Sequence, residues 1–175
     1  VLRTMAIART YHAPLLARGG GTSLAGQCCN YAVILDCSKY MHHVLEIDVA
    51  GRRARVQPGL VLDDLRRQAE RHHLTFGPDP STHNHCTLGG MIGNNSCGAH
   101  SVMAGKTVEN IETLDIITYD GLRLTVGPTS EDELVRIIRG GGRRGEIYGR
   151  LRDLRDKYAD LIRARFPKIK RRVSG

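Results

Sequence analysis

Hydrophobic residues along this chain fall in short runs that glycines and prolines interrupt, and the runs predict the order of its elements. Two apolar stretches, Leu15–Ala17 and 32–35, predict strands, the first of which ends at a glycine cluster. Residues 44–49 alternate between apolar and polar side chains, and Gly51 then turns the chain into residues 53–57. This arrangement predicts a β-hairpin.

Apolar residues at helical spacing follow, at positions 61, 62, 65 and 69, and predict an amphipathic helix over 61–72. The two prolines in residues 76–80 exclude regular structure there, so this stretch is predicted to be a loop.

The last third of the chain begins with a second hairpin pattern, in which residues 111–119 and 122–126 flank Asp120-Gly121. An Asp-Gly pair suits a type I′ turn. A capping box at residues 130–133 then predicts a helix ending near residue 139, and a second helix is expected over about 146–165. Mixed helices and hairpins place the chain in the α+β class.

Charge divides the chain more clearly than hydrophobicity does. The net charge is +8, yet residues 136–175 hold 14 Lys and Arg against 4 Asp and Glu, whereas residues 1–135 hold 12 against 14. The basic character therefore belongs to the tail, and any nucleic-acid-binding function would depend on the tail alone. We expect two regions, 1–135 and a basic helical extension, 136–175.

Composition also limits where the protein works. The 175 residues contain no apolar run near the roughly 18 needed to span a bilayer. The five cysteines are odd in number and form no Cys-x-x-Cys pair, which disfavours a disulfide framework or a structural zinc site. These features predict a reducing, cytoplasmic setting.

A glycine cluster after the first predicted strand is the first candidate binding loop. Residues 18–23, Arg-Gly-Gly-Gly-Thr-Ser, leave backbone amides uncovered, and consecutive N–H groups can form a nest for a pyrophosphate. A flexible turn explains a lone glycine cluster equally well. A Gly-x-Gly-x-x-Gly pattern at 140–145 follows a predicted helix rather than a strand, so it is interpreted as a helix–helix connection.

The second candidate loop combines residues 77–82 with residues 87–98, Thr-Leu-Gly-Gly-Met-Ile-Gly-Asn-Asn-Ser-Cys-Gly. Small side chains allow a flat ligand to approach the backbone, and Asn and Ser offer uncharged donors and acceptors. This composition suits a flavin ring and its ribityl chain better than a metal.

Taken in order, the motifs at 18–27, 78–81, 87–98 and 105–110 resemble the FAD-binding domain of the vanillyl-alcohol oxidase / p-cresol methylhydroxylase (PCMH) superfamily. The most similar branch comprises FAD-linked oxidases related to glycolate oxidase, D-lactate dehydrogenase and D-2-hydroxyglutarate dehydrogenase. The resemblance covers about residues 12–130, and residues 130–175 resemble an insertion in long members of this branch.

The resemblance implies a fold of two small α/β lobes, with the family's first strand before Val1 and its substrate-binding cap after residue 175. Residues 18–23 would hold the FAD pyrophosphate, residues 78–82 and 87–98 would run along the pyrophosphate, ribityl chain and isoalloxazine, and Gly105 and Thr107 would lie near the flavin or adenine. The expected cofactor-binding residues are Arg18, Gly19, Gly20, Gly21, Thr22, Ser23, Gln27, Pro78, Asp79, Pro80, Ser81, Thr87, Gly90, Asn94, Asn95, Ser96, Cys97, Gly98, Gly105 and Thr107.

Three further chemistries remain open beside noncovalent FAD. Some relatives attach FAD covalently, and Cys86 or Cys97 could do so here, although glycine stands at positions 20 and 21 where such relatives place a loop histidine. Metal binding at His83-Asn84-His85-Cys86 is disfavoured, because no distant partner pair is evident. Some long relatives carry an iron–sulfur domain elsewhere in the chain.

Two functions of different classes follow. The first is the FAD-binding part of an oxidoreductase that takes a hydride from a 2-hydroxy acid, with no catalytic residue assigned here and no turnover expected from residues 1–175 alone. The second is a basic interaction module that binds nucleic acid or an acidic partner. Its residues would be Arg143, Arg144, Arg150, Arg152, Arg155, Lys168, Lys170, Arg171 and Arg172, among which Asp153, Asp156 and Asp160 are interleaved.

Overall fold

A computed structural model describes residues 1–167 and divides the chain into two compact units, residues 1–111 and a second unit that begins at Glu112. The second unit includes the later hairpin, which the charge-based boundary at residue 135 had grouped with the first region.

The first unit contains four strands and four α-helices within the described residues. They are α1 (Leu2–Thr10), β1 (Leu15–Arg18), β2 (Val33–Asp36), β3 (Val44–Asp48), β4 (Arg53–Val56), α2 (Leu62–Ala69), α3 (Leu88–Asn94) and α4 (Ser101–Ala104). Short 3₁₀ turns follow α2 at Glu70–His72 and α4 at Thr107–Asn110. Helix α1 has no counterpart among the sequence predictions, because only Met5 and Ala8 of its nine residues are buried.

The four strands form two separate pairs. Strands β1 and β2 are parallel, with Leu15 opposite Val33, so residues 19–32 carry the chain from the end of β1 back to the start of β2. Strands β3 and β4 form the predicted antiparallel hairpin, with Val44 opposite Val56. The glycine cluster therefore leaves the C-terminal end of a parallel strand.

The core of the first unit packs α2 against α3. Its buried members are Leu60, Leu62, Leu65, Cys86, Leu88 and Met91, and the partly buried Val44, Val56 and Phe76 pack against them. Full burial of a leucine side chain contributes roughly 1.5–3 kcal/mol. This cluster therefore fixes the position of α3 relative to α2, whose predicted helical spacing is confirmed.

Helix α3 lies inside the segment 87–98, which the sequence presented as a ligand-lining loop. Thr87 precedes the helix with an extended backbone, and its Oγ1 accepts a hydrogen bond from the amide of Gly90 at 3.4 Å. Asn95 ends the helix in the left-handed region at φ 47°. Buried Leu88 and Met91 compensate for the poor helix propensity of the glycines, and that tertiary contribution is why composition alone gave the wrong element.

The second unit consists of β5 (Leu114–Ile117), β6 (Arg123–Val126), α5 (Glu131–Gly140) and α6 (Gly142–Arg165) within the described residues. The β5–β6 hairpin is confirmed, but its turn is not type I′. Among the five residues between the strands, 118–122, only Gly121 has a positive φ, at 91°, and its amide donates to the carbonyl of Thr118 at 2.8 Å. A type I′ turn requires positive φ at both central residues.

Helix α5 starts as predicted, since the Oγ of Ser130 accepts a hydrogen bond from the amide of Glu133 at 3.2 Å. Gly141, at φ 66°, is the one residue between α5 and α6, so the glycine pattern joins two helices as predicted, but residues 142–145 already form the first turn of α6. Helix α6 begins at Gly142, earlier than expected. No helix within residues 1–167 is both long and apolar enough to cross a membrane.

Candidate functional site

The glycine loop after β1 presents a row of backbone amides. None of the five N–H groups from Gly19 to Ser23 donates to another group of residues 1–167, and Gly21 takes a left-handed backbone at φ 70°. Successive free amides in such a turn form a concave anion site. The loop thus offers donors of the kind that a pyrophosphate requires.

The same loop lies directly against the start of α3. A Cβ atom at residue 19 would lie 2.1 Å from Oγ1 of Thr87, and one at residue 20 would lie 2.1 Å from the carbonyl oxygen of His85. Only glycine fits so close to another main chain. The structure therefore brings the first and second candidate loops together, although about sixty residues separate them in sequence.

In contrast to the glycine loop, the start of α3 has no free donors. The amide of Leu88 donates to the carbonyl of Leu60 at 2.9 Å, that of Gly89 to Pro58 at 2.8 Å, and that of Gly90 to the Thr87 hydroxyl. The Thr87 side chain is itself only 1 % exposed. The anion-binding capacity of this region therefore belongs to residues 19–23 rather than to the helix.

The proline-containing loop is held from two sides. The guanidinium of Arg66 in α2 donates to the carbonyls of Phe76 and Pro78 at 3.0 and 3.1 Å. On the other side, Gly98 passes so close to Asp79 that a Cβ at residue 98 would lie 1.8 Å from the Asp79 carbonyl oxygen. The second and third predicted motifs are therefore in contact.

Asp79 also anchors the chain after Gly98 through its side chain. Its carboxylate accepts hydrogen bonds from the amide of His100 at 3.0 Å and from the His100 ring. Partial burial raises the pKa of Asp79, but the bonds from the His100 ring and amide outweigh this effect, and the net shift is downward. Asp79 therefore stays ionised and bound to His100 at neutral pH.

The fourth motif joins the same assembly. The amide and hydroxyl of Thr107 both donate to the carbonyl of Ser96, at 3.0 and 2.7 Å, and the amide of Val108 donates to Oδ1 of Asn95 at 3.1 Å. Gly105 adopts φ 74°, and Glu109 accepts from the amide of Lys106 at 2.7 Å. These bonds fix the residues after α3 against the residues after α4.

The predicted site residues fall into two structural groups. Pro78, Thr87 and Thr107 are almost fully buried, and the two hydroxyls bind within the protein. The accessible members include Gln27, Ser81 and Asn94, and the Ser23 hydroxyl donates to Gln27. The first group builds the scaffold, and we predict direct cofactor contact from the second group and from the amides of the glycine loop.

Sequence reasoning missed Arg66 and His100. Arg66 sits at an ordinary helix position, and only its distance from Phe76 and Pro78 in space reveals its function. His100 follows Gly98 by two residues, within reach of the motif, but no spacing rule links it to Asp79, 21 residues earlier.

The histidines of residues 83–86, which the sequence offered as metal ligands, have local partners. The ring of His83 contacts the Asp63 carboxylate at 2.8 Å, and that of His85 contacts Asn84. No group of three possible metal ligands occurs among residues 1–167. All five cysteines are free thiols, and burial raises the pKa of Cys86 and of Cys37.

The basic tail is extensively ion-paired where the structure describes it. Arg143 contacts Asp120 at 2.8 Å and Glu146 at 2.7 Å, Arg150 contacts Glu146 at 2.9 Å, and Arg155 contacts Glu131 and Asp156. Arg152 pairs with Asp153, and the Arg144 guanidinium lies over the Tyr148 ring. The other proposed contacts, Lys168, Lys170, Arg171 and Arg172, lie outside the described residues.

Comparisons with known proteins identify the class. The profile of the family described as FAD binding domain matches residues 1–127, most of the chain. The unpartnered amides, and the approach of the glycine loop to α3 that a Cβ would block, fit the phosphate part of that cofactor. The chain belongs to this FAD binding domain family, and the α+β fold and FAD predicted from the motifs are confirmed.

Among curated relatives, a D-2-hydroxyglutarate dehydrogenase of Pseudomonas putida is 37 % identical over 161 residues, 92 % of this chain and 16 % of that protein. Glycolate oxidase subunit GlcD of Escherichia coli is 34 % identical over 134 residues, 75 % of this chain and 27 % of that protein. The chain thus spans about a sixth to a quarter of these relatives. The first match is longer than residues 1–135, so it extends into the basic tail.

Two solved structures share the fold. An alkyldihydroxyacetonephosphate synthase has a TM-score of 0.63 at 23 % identity, over 82 % of this chain and 24 % of that one. The 6-hydroxy-D-nicotine oxidase of Arthrobacter nicotinovorans has a TM-score of 0.66 at 24 % identity, over 77 % of this chain and 29 % of that one.

Proposed function

We propose that this chain is the FAD-binding portion of a flavin-dependent oxidoreductase that oxidises a 2-hydroxy acid. The observation that carries the proposal is the row of unpartnered amides from Gly19 to Ser23, held against α3 by contacts that only glycine permits. The names of the dehydrogenase and glycolate oxidase relatives support the substrate class.

In this proposal the chain binds and orients the cofactor noncovalently. The amides of residues 19–23 donate hydrogen bonds to the pyrophosphate, and the Thr22 hydroxyl adds a donor, whereas the Ser23 hydroxyl already donates to Gln27. The rest of the FAD molecule is positioned by residues 78–82, 94–98 and 105–107. When bound, the flavin supplies the redox chemistry by accepting the hydride from the substrate carbon that bears the hydroxyl group.

The groups that bind the substrate carboxylate and remove the hydroxyl proton are proposed to lie in a cap domain outside residues 1–175. Such groups must converge on one point with fixed geometry. A cytoplasmic setting, or one at the periphery of the inner membrane through an electron-transfer partner, stays a prediction.

A flavin spectrum and dye reduction together test the proposal. We expect the longer protein that contains this chain to release FAD on denaturation and to reduce a dye with D-2-hydroxyglutarate, glycolate or D-lactate. Residues 1–175 alone should show no turnover above free FAD. A longer protein without flavin would refute FAD binding, and saturable turnover by residues 1–175 would refute the separate cap.

A further inference from the structure

Two adjacent thiols lie beside the glycine loop, and neither the fold nor the proposed reaction uses them. The Sγ atoms of Cys28 and Cys29 are 3.8 Å apart, and the Cys29 side chain is exposed. Among the five cysteines, all within residues 1–167, no other two thiols form such a contact. Cys28 and Cys29 are therefore the one pair that could bind a single thiophilic atom together.

The surrounding chain leaves this pair accessible. The flanking Leu24 and Tyr31 side chains are fully exposed, and no atom lies within 4 Å of the Cβ position of Gly26, which has a left-handed backbone at φ 78°. The amide of Cys29 donates to the carbonyl of Gly26 at 3.1 Å and closes a turn. Neither sulfur has to leave a packed core to bind a ligand.

The pair also contacts the predicted cofactor loop. The thiol of Cys28 donates to the carbonyl oxygen of Gly21 at 3.9 Å, across seven residues. That carbonyl and the amide of Thr22 belong to one planar peptide group, so a rotation of the carbonyl turns the Thr22 N–H as well. The Thr22 N–H is one of the five unpartnered donors of the loop.

We propose that Cys28 and Cys29 form a dithiol site for trivalent arsenicals, and that occupation of this site releases FAD from the glycine loop. The claim that FAD is released rests on the proposed function. Two thiols on adjacent residues close a ring around one arsenic atom, which favours binding because the second bond forms within the same molecule.

The binding step is a condensation without redox change. An organoarsenic oxide forms two As–S bonds, its As–O double bond breaks, and the two thiol protons leave with the oxygen as one water molecule. Arsenic remains trivalent, so no oxidant is consumed. The Cys28 thiol then has no proton to donate to Gly21, and the peptide that carries the Thr22 amide loses that contact.

Phenylarsine oxide added to the longer, flavin-containing protein tests the first half by native mass spectrometry. We expect one arsenical per chain, reversed by 2,3-dimercaptopropanol but not by an equal concentration of a monothiol. Cys28→Ser and Cys29→Ser should each lose the adduct, whereas the matched controls Cys37→Ser and Cys97→Ser should keep it. No adduct on the wild type, or an undiminished adduct on either Cys28→Ser or Cys29→Ser, would overturn the proposal.

Flavin release, followed by fluorescence in the same sample, tests the second half. We expect free FAD to rise with adduct formation in the wild type and in the Cys37→Ser control, and not in Cys28→Ser. An adduct that leaves the flavin bound would overturn the coupling alone. Untreated protein that contains no flavin, yet forms the adduct, would instead refute the proposed function and leave the dithiol site standing.

Discussion

Gly19 and Thr87 touch so closely that a Cβ atom at residue 19 would lie 2.1 Å from the Thr87 hydroxyl oxygen. Thr87 also caps α3 and is 1 % exposed, so it cannot move aside without disturbing the helix. The position of the glycine loop is thus set by a buried residue that caps α3. A cofactor that binds the loop meets donors already in place.

Gly20→Ala should abolish FAD retention by the longer protein. The new Cβ would lie 2.1 Å from the main-chain oxygen of His85, and the main chain there cannot rotate away as a side chain can. The loop must therefore shift and carry its amides with it. The measurement is the ratio of flavin to protein absorbance after gel filtration. A folded variant with unchanged flavin content would contradict the role of this loop.

Gly149→Ala is the matched control and should stabilise the second unit. Gly149 lies inside α6, no atom comes within 4 Å of its Cβ position, and its φ is not positive. Alanine in a helix interior is favoured over glycine by about 1 kcal/mol. Urea unfolding should show this gain with flavin content unchanged. A loss of stability would mean that α6 is packed more tightly at this point than described.

Thr107→Val should destabilise the first unit by about 1 kcal/mol, the usual net contribution of one hydrogen bond. The Thr107 side chain is fully buried, and its hydroxyl donates to the Ser96 carbonyl at 2.7 Å. Valine keeps the shape and removes the donor. Thr107→Ser keeps the hydroxyl and serves as the control for that bond. An unchanged urea midpoint in Thr107→Val would show that the hydrogen bond from the Thr107 hydroxyl does not contribute to stability.

The order of motifs predicted the family and the cofactor because each motif is local in sequence. The helical spacing at 61–72 and the N-cap at Ser130 are local too, and both were confirmed, although only one of the two bonds of a capping box forms, from the Glu133 amide to the Ser130 hydroxyl. Helix α3 was missed because buried Leu88 and Met91 outweigh its glycines, a tertiary effect. The turn at Asp120 was misassigned because several hairpin loops accept an Asp-Gly pair. Arg66 and His100 depend on contacts between distant segments, which no periodicity encodes.

Asp120 should titrate far below an ordinary aspartate. The Thr118 hydroxyl and the Arg143 guanidinium lower its pKa from 3.8 to about 2. Because the pKa of Asp120 is lower in the folded than in the unfolded chain, the ionised carboxylate stabilises the fold above about pH 4. This contribution to the free energy of unfolding is lost as the pH falls towards 2.

A ¹³C NMR titration of the Asp120 carboxyl measures this value. Arg143→Gln should move the midpoint only part of the way back to 3.8, since the Thr118 hydroxyl remains. A wild-type midpoint near 3.8 would show that these hydrogen bonds do not persist in solution.

The basic tail should bind duplex DNA only weakly, and binding should vanish near 0.3 M salt, because nonspecific phosphate contacts weaken steeply with ionic strength. Arg143, Arg150 and Arg155 already have carboxylate partners. Fluorescence anisotropy with a labelled duplex across a salt series measures this dependence. Affinity that survived 0.3 M salt would favour the interaction-module hypothesis.

Arg66 reaches the loop of residues 76–78 through main-chain oxygens alone. Bonds to main-chain oxygens do not depend on which side chains the loop carries. The sequence of the loop can therefore vary during evolution while its backbone conformation is conserved. The constraint falls instead on position 66. A lysine ammonium is a single point of charge and cannot reproduce a planar fork directed at several carbonyls. Among homologues in which residues 76–78 vary, we expect arginine to be conserved at position 66.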